Sequence, residues 1–192
     1  MPVSEVTALG WFHVAASMVA LVAGALQLFG KKGTAAHALR GKIYFWSLSI
    51  ALVTTLFLYN MDVVIGAGQK PLIGPYFGFF HWLAMFTLLL VVLGQLSAGR
   101  QRIAFFAYAH PIFMILSYWQ LVGAGIIAAF TRIDWLRELA LSISPGAQTL
   151  VQYKLLIWVA NANHLLHLVA LVAAIVGVRR MRRGAGGVVS GA

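Results

Sequence analysis

The sequence predicts an all-α protein, an integral membrane bundle of five transmembrane helices. Of its 192 residues, 61% are hydrophobic and only 9% are charged, a balance far from that of soluble globular domains. Long apolar runs recur along the chain, each near the ~20 residues that cross the hydrocarbon core of a bilayer. The basic residues lie in short clusters between these runs. Composition, run length and charge placement therefore all indicate a multi-pass membrane protein.

Five stretches qualify as spans, and they cover roughly residues 8–30, 43–67, 76–98, 104–132 and 150–178. The first follows no basic segment and no cleavage site of small residues, so we expect a retained span rather than a signal peptide. The second is interrupted near its end by Tyr59, Asn60 and Asp62, so its last turn is expected at an interface. Residues 1–192 are interpreted as a single transmembrane domain that ends in a basic, flexible tail over residues 179–192.

The placement of Lys and Arg predicts the orientation of the bundle. Ten of these residues fall on one side, namely Lys31, Lys32, Arg40, Lys42, Arg100, Arg102, Arg179, Arg180, Arg182 and Arg183. Because cytoplasmic loops retain positive charge, we expect the N-terminus outside and the C-terminus in the cytoplasm. The net charge of +10 is thereby explained by topology, and no nucleic-acid partner is expected.

A short amphipathic segment lies between spans four and five. Ile133, Leu136 and Ile143 recur at helical spacing, while Asp134 and Arg137 lie elsewhere around the helix. This pattern predicts a short interfacial helix, which should stop near the Ser-Pro-Gly sequence at residues 144–146.

The six histidines fall at two levels of the predicted bundle. The outer level holds His13 and His81, each about two turns below the surface. The inner level holds up to four, namely His37, His110, His164 and His167. Polar groups in hydrocarbon are costly, so we expect them to face the interior of the bundle.

Helical spacing predicts which polar side chains share a face. On span one, a narrow stripe comprises His13, Ser17, Ala20, Gly24 and Gln27. Its small residues should let another helix or a flat ligand approach the backbone closely. On span three the predicted interior residues are His81, Met85, Leu88 and Gln95, and on span five they are Tyr153, Asn161 and His164, with His167 one turn further.

Two histidines from different helices at one depth are what haem b requires, because the imidazole nitrogens bind iron from opposite faces. His13 with His81 meets this requirement at the outer level, and His110 with His164 is the best inner match. Either His167 or His37 can replace one of the inner pair. The sequence has no cysteine, which excludes covalent c-type haem and thiolate sites. One haem b, or two if the inner level is occupied, predicts electron transfer with a quinone or other membrane redox subunits as partners.

Other functions fit the same residues. Histidines that only pack helices or relay protons would suit a non-catalytic membrane subunit or assembly factor without a cofactor. A copper site with Met85 or Met114 is a further possibility, and a small-molecule transporter with Asp62 in a polar channel is another. A hydrolase is disfavoured, because the spans lack the Glu-x-x-His and His-Glu-x-x-His patterns.

The run FHVAASMVALVAGALQLFGKKGTAAHALRGKIYFWSL contains His13, Gly24, Gln27, His37 and Gly41. It resembles the opening of a bacterial family of small multi-pass membrane proteins, catalogued as domain of unknown function 2306. The similarity extends more loosely over residues 12–130, and His81 and His110 fall where that family also tends to place histidines. The sequence departs from the family after His110, where Pro-Ile-Phe-Met replaces the usual basic residues.

The resemblance implies a multi-pass architecture and a bacterial membrane location, and it brings no established activity. In architecture the chain is also similar to transmembrane di-haem b-type cytochromes, which place histidine ligands at two depths. Their usual pair of histidines about four turns apart on one helix is missing here.

Overall fold

The computed structural model describes residues 7–58, 79–99, 104–146 and 154–187, and these form six helices and no strand. The helices are α1 (Ala8–Phe29), α2 (Ala35–Thr55), α3 (Phe79–Ala98), α4 (Ala104–Arg132), α5 (Asp134–Ile143) and α6 (Lys154–Gly187). The predicted all-α fold is confirmed. Within these ranges, α1, α3, α4 and α6 each contain a segment long and apolar enough to cross a membrane.

Helix α2 differs from the second predicted span. It begins at Ala35 rather than at residue 43, because Thr34 caps it by accepting a hydrogen bond from the backbone N–H of His37 at 3.1 Å. The first turns carry charged side chains, and α2 is not among the four apolar candidate spans. The helix ends at Thr55. The predicted interruption at 59–62, the start of the third predicted span and the cations Arg100 and Arg102 lie outside the described residues.

The last two helices correspond to the predicted short helix and to the fifth predicted span with the start of its tail. The short helix predicted after span four is confirmed as α5, which ends where Ser144 donates its N–H to the carbonyl of Ala140 at 3.0 Å. The Ser144 hydroxyl then accepts the backbone N–H of Lys154 at 2.9 Å, which ties the end of α5 to the start of α6. The start of the tail predicted from residue 179 continues α6, which is helical through Gly187.

Helices α1 to α4 are arranged as a ring. Extensive contacts join α1 to α2, α2 to α3 and α3 to α4, and smaller ones join α4 back to α1. The pairs α1 with α3 and α2 with α4 are the diagonals of this ring. Helix α6 packs on α4 from outside the ring, and α5 contacts both α4 and α6.

The middle of the ring is closed by a packed core. Its buried residues come from all four helices and comprise Ala20, Ala23, Tyr44, Leu48, Val91 and Leu121. Gly24 of α1 faces the ring of Tyr118 so closely that a Cβ there would lie 2.4 Å from Cδ2 of that tyrosine. The Tyr118 hydroxyl donates to the carbonyl of Leu21 at 3.2 Å. The small residues predicted to admit a helix or a flat ligand thus receive a tyrosine side chain.

Tyr44 crosses the α2–α4 diagonal within this core. Only 1% of the residue is exposed, and its hydroxyl lies 2.9 Å from Oγ of Ser117. Ser117 donates its own proton to the carbonyl of Met114 at 2.9 Å, so Tyr44 is the donor in the pair. The rings of Tyr44 and Tyr118 meet edge to face, with centroids 6.2 Å apart.

We expect Tyr44→Phe to lower the free energy of unfolding by about 1 kcal/mol, because it deletes a buried hydrogen bond and keeps the ring. Denaturant titration in detergent micelles measures the change. Ser117→Ala and the double variant complete the cycle, and strictly additive effects would show that the two hydroxyls do not interact.

Candidate functional site

His37 and His110 lie at one end of the ring, here called the His37 end, where His110 is near enough to affect the pKa of His37 electrostatically. Burial lowers the pKa of His37, and the charges of Lys32, His110 and Arg40 lower it further. The imidazole of His37 is therefore neutral at pH 7. Its Nε2 lies 3.5 Å from the side-chain nitrogen of Gln27.

His110 is held by the neighbouring helix α3. Its Nδ1 donates to the carbonyl of Gly94 at 2.8 Å. The absence of a side chain at Gly94 lets α4 pack closely on α3 here, since a Cβ there would lie 2.7 Å from Sδ of Met114. The ring orientation of His110 is thus set by backbone rather than by another side chain.

His13 lies at the opposite end of the ring, here called the His13 end. Its Nδ1 is 3.0 Å from the carbonyl of Ala51 and 3.0 Å from Oγ1 of Thr54, both on α2. The Thr54 hydroxyl itself bonds back to the carbonyls of Ile50 and Ala51. The carbonyl of Ala51 can only accept, so it takes the Nδ1 proton of His13 and leaves Nε2 as the lone-pair nitrogen.

Helix rise puts His81 at the level of His13. Fourteen residues separate His37 from Ala51 along α2, or about 21 Å of rise. Thirteen residues separate His81 from Gly94 along α3, or about 20 Å. Because Ala51 binds His13 and Gly94 binds His110, His13 and His81 share one end of the ring. His81 is only 3% exposed.

The two levels therefore use different diagonals of the ring. His13 on α1 and His81 on α3 lie at one end, and His37 on α2 and His110 on α4 lie at the other.

His164 and His167 occupy a different place, on α6 outside the ring. His167 is 2% exposed and stacks on Trp119, with ring centroids 5.8 Å apart and an interplanar angle of 15°. His164 is exposed and meets the edge of Trp119 at 5.0 Å. Trp119 lies nine residues beyond His110 on α4, about 13 Å along the axis, so the structure does not bring His110 and His164 to one level.

The predicted interior faces need two corrections. On α6, Asn161 and His164 are exposed, whereas Asn163 and His167 are buried. The residues at 163 and 167 are four apart and share the face toward α4. On α3, Met85 is exposed. The described residues contain no group of three or more His, Cys, Asp or Glu side chains placed to hold a bare metal ion.

Four of the histidines share one hydrogen-bonding pattern, in which Nδ1 bonds to a backbone carbonyl. The carbonyls belong to Ala51 for His13, Gly94 for His110, Ala160 for His164 and Asn163 for His167. This tautomer leaves Nε2 as a lone-pair donor, the state in which histidine binds iron. Nε2 of His167 is buried and has no hydrogen-bond partner among the described residues.

Sequence reasoning missed the partners that orient these histidines. The contacts at Ala51 and Gly94 are made by backbone carbonyls, which every residue has, so the sequence does not single them out. Of the two positions, only Gly94 is distinctive, because it is a glycine. The buried pair Asn163 and His167 was detectable from its spacing of four residues, which puts both on one helical face. The sequence pattern could not tell that this face, rather than that of Asn161 and His164, meets α4.

Comparison with known protein families, with curated proteins and with solved structures found no match to this chain. The family resemblance noted in the sequence therefore stays a prediction.

Proposed function

We propose that this chain is a five-span protein of the bacterial inner membrane that binds haem b and transfers electrons. One haem lies at His13 and His81, and a second lies at His37 and His110. The N-terminus faces outward and the C-terminus is cytoplasmic, as the distribution of cations predicts. A membrane quinone or another redox subunit is the electron partner.

The observation that carries this proposal is the pairing of histidines across diagonals. Helices on a diagonal lie on opposite sides of the ring, so each pair contributes one histidine from either side at a shared level. Two axial ligands of one haem need this opposed arrangement. The shared depth of His13 and His81, about 20 Å from the other pair, supports two separate sites.

The surroundings of the histidines suit this ligand. The carbonyls that take the Nδ1 protons of His13 and His110 fix both rings and raise the basicity of Nε2. Haem with two imidazole ligands accepts and returns a single electron.

We expect protein purified after expression with haem supply to show a Soret band, with sharp alpha and beta bands after dithionite reduction. His164→Ala should leave these bands unchanged, because His164 is exposed outside the ring. Absorption spectra of oxidised and reduced samples test both expectations. A colourless protein at full haem supply would rule out the cytochrome function.

A second candidate function, membership of a larger membrane assembly, is favoured by the exposed Asn161 and His164. Both are polar and lie in a helix that otherwise suits hydrocarbon, where uncovered polar groups are costly. A neighbouring subunit on this face would cover them. Exchange of both residues for leucine should release the chain from a larger complex on native gels of solubilised membranes, and unchanged migration would exclude this face as the contact.

A further inference from the structure

We propose that the turn between α1 and α2 binds the phosphate group of an anionic phospholipid through Arg40 and Lys32. This binding site is independent of the haem proposal, since it needs neither the histidine pairs nor a redox partner. The chemistry recognised is a phosphate oxyanion.

Positive charge gathers at the turn between α1 and α2, and no carboxylate of the described residues lies beside it. Lys31, Lys32, Arg40 and Lys42 lie within twelve residues of sequence. Of the chain's four acidic residues, the two in the described part are Asp134 and Glu138. Both belong to α5, which follows the far end of α4. Burial lowers the pKa of Lys32, and the neighbouring charge of Arg40 lowers it further, so the two cations repel each other.

The side chains of Lys32 and Arg40 are held in place, but not all of their N–H donors have an acceptor among the described residues. The ammonium of Lys32 donates to the carbonyls of Gln27 and Leu28, the latter at 2.9 Å, which holds it at the end of α1. The guanidinium of Arg40 lies against the turn, since a Cβ on Gly30 would be 2.5 Å from its Nη2. Nε of Arg40 is buried and has no hydrogen-bond partner among the described residues.

A bound anion would accept a hydrogen bond from Arg40 and would reduce the repulsion between the two cations. A phosphate oxygen accepts charge-assisted hydrogen bonds from a guanidinium, whose planar donors match its geometry. The same negative charge would offset the repulsion between Arg40 and Lys32. We expect Arg40 to contribute more to binding than Lys32, because its Nε has no other acceptor among the described residues.

The position of the turn favours a lipid over a free phosphate ion. The apolar segment of α1 ends at Phe29, directly before these cations. Val22, Leu26 and Phe29 share one face of α1 and are exposed, Phe29 to 79%. This exposed apolar strip leads directly to the cations, in the same order as the acyl chains and the phosphate group of a phospholipid.

Native mass spectrometry of the detergent-solubilised full chain, with added phosphatidylglycerol or phosphatidylcholine, tests this proposal. We expect wild type to retain phosphatidylglycerol preferentially. Arg40→Gln should weaken this binding about tenfold, as expected when a hydrogen bond to a charged group is lost. Arg40→Lys keeps the charge and loses the fork of donors, so it should give an intermediate loss.

Lys31→Gln is the matched control, because it removes the same charge from an exposed side chain of the same turn. Equal losses in Lys31→Gln and Arg40→Gln would mean general surface electrostatics and would overturn the site. Displacement of the lipid by millimolar inorganic phosphate would instead identify a free-phosphate site and overturn the lipid assignment. If Arg40→Gln does not fold, Arg40→Lys against Lys31→Gln decides, and equal binding by those two contradicts the proposal.

Discussion

Replacing His81 with alanine is expected to abolish the haem signal of the His13 end. His81 is almost fully buried at the level of His13, and an alanine would leave that site with one axial imidazole. We expect His13→Ala to have the same effect. About half of the haem bound per protein should be lost in either variant, because the pair at the His37 end uses other helices.

Haem stoichiometry and reduced-minus-oxidised spectra of the purified variants measure this loss. His110→Ala should remove the other half, and His81→Ala with His110→Ala should give a colourless protein. Retention of a full, low-spin spectrum in His81→Ala would refute the assignment of His81 as a ligand. Circular dichroism of the same samples shows whether the helices are intact, so a folding failure is not mistaken for ligand loss.

Gly24→Val is expected to lower the free energy of unfolding by about 3 kcal/mol, at the upper end of the usual cost of overpacking. The first side-chain atom alone would come within 2.4 Å of Tyr118 Cδ2 and 3.0 Å of Tyr44 Cε2. The Tyr118 ring cannot simply move away, because its hydroxyl is bonded to the Leu21 carbonyl and its edge meets Tyr44. The clash therefore spreads through the packed core.

Gly177→Val is the control for this variant, since a Cβ at Gly177 meets nothing within 4 Å and the same change in helix propensity applies. Thermal unfolding of both proteins in one detergent gives the comparison. Tyr118→Ala should partly rescue Gly24→Val, because it removes the clashing ring. Equal stabilities of Gly24→Val and Gly177→Val would show that the α1–α4 contact is not close-packed in the membrane protein.

The sequence was sufficient for the helical fold because apolar run length is a direct physical requirement of a bilayer. It also predicted α5, whose apolar residues recur at helical spacing and whose end is marked by Ser-Pro-Gly. The predicted start of α2 was wrong by several residues. Hydropathy shows where the chain becomes apolar, whereas the Thr34 cap determines where the helix begins. A helix and its apolar segment need not coincide.

The level of each histidine on its helix was easier to predict than which histidines lie on neighbouring helices. Depth along each helix grouped His13 with His81, because rise per residue is constant. The depth of a residue along its helix could not distinguish the inner histidines from one another, because it does not show which helices are neighbours. The pairing of His110 with His37 rather than His164 depends on the ring, and the ring depends on contacts between residues distant in sequence.

The position of α6 outside the ring has a consequence for how the protein is made. All four helices of the ring precede residue 133, and contacts between α4 and α1 close it without α5 or α6. Chains emerge from the ribosome N-terminus first, so every ring helix is synthesised before α6. Biogenesis can thus proceed in two stages, in which α6 docks onto a surface of α4 that already exists and brings His164 and His167 to Trp119 last.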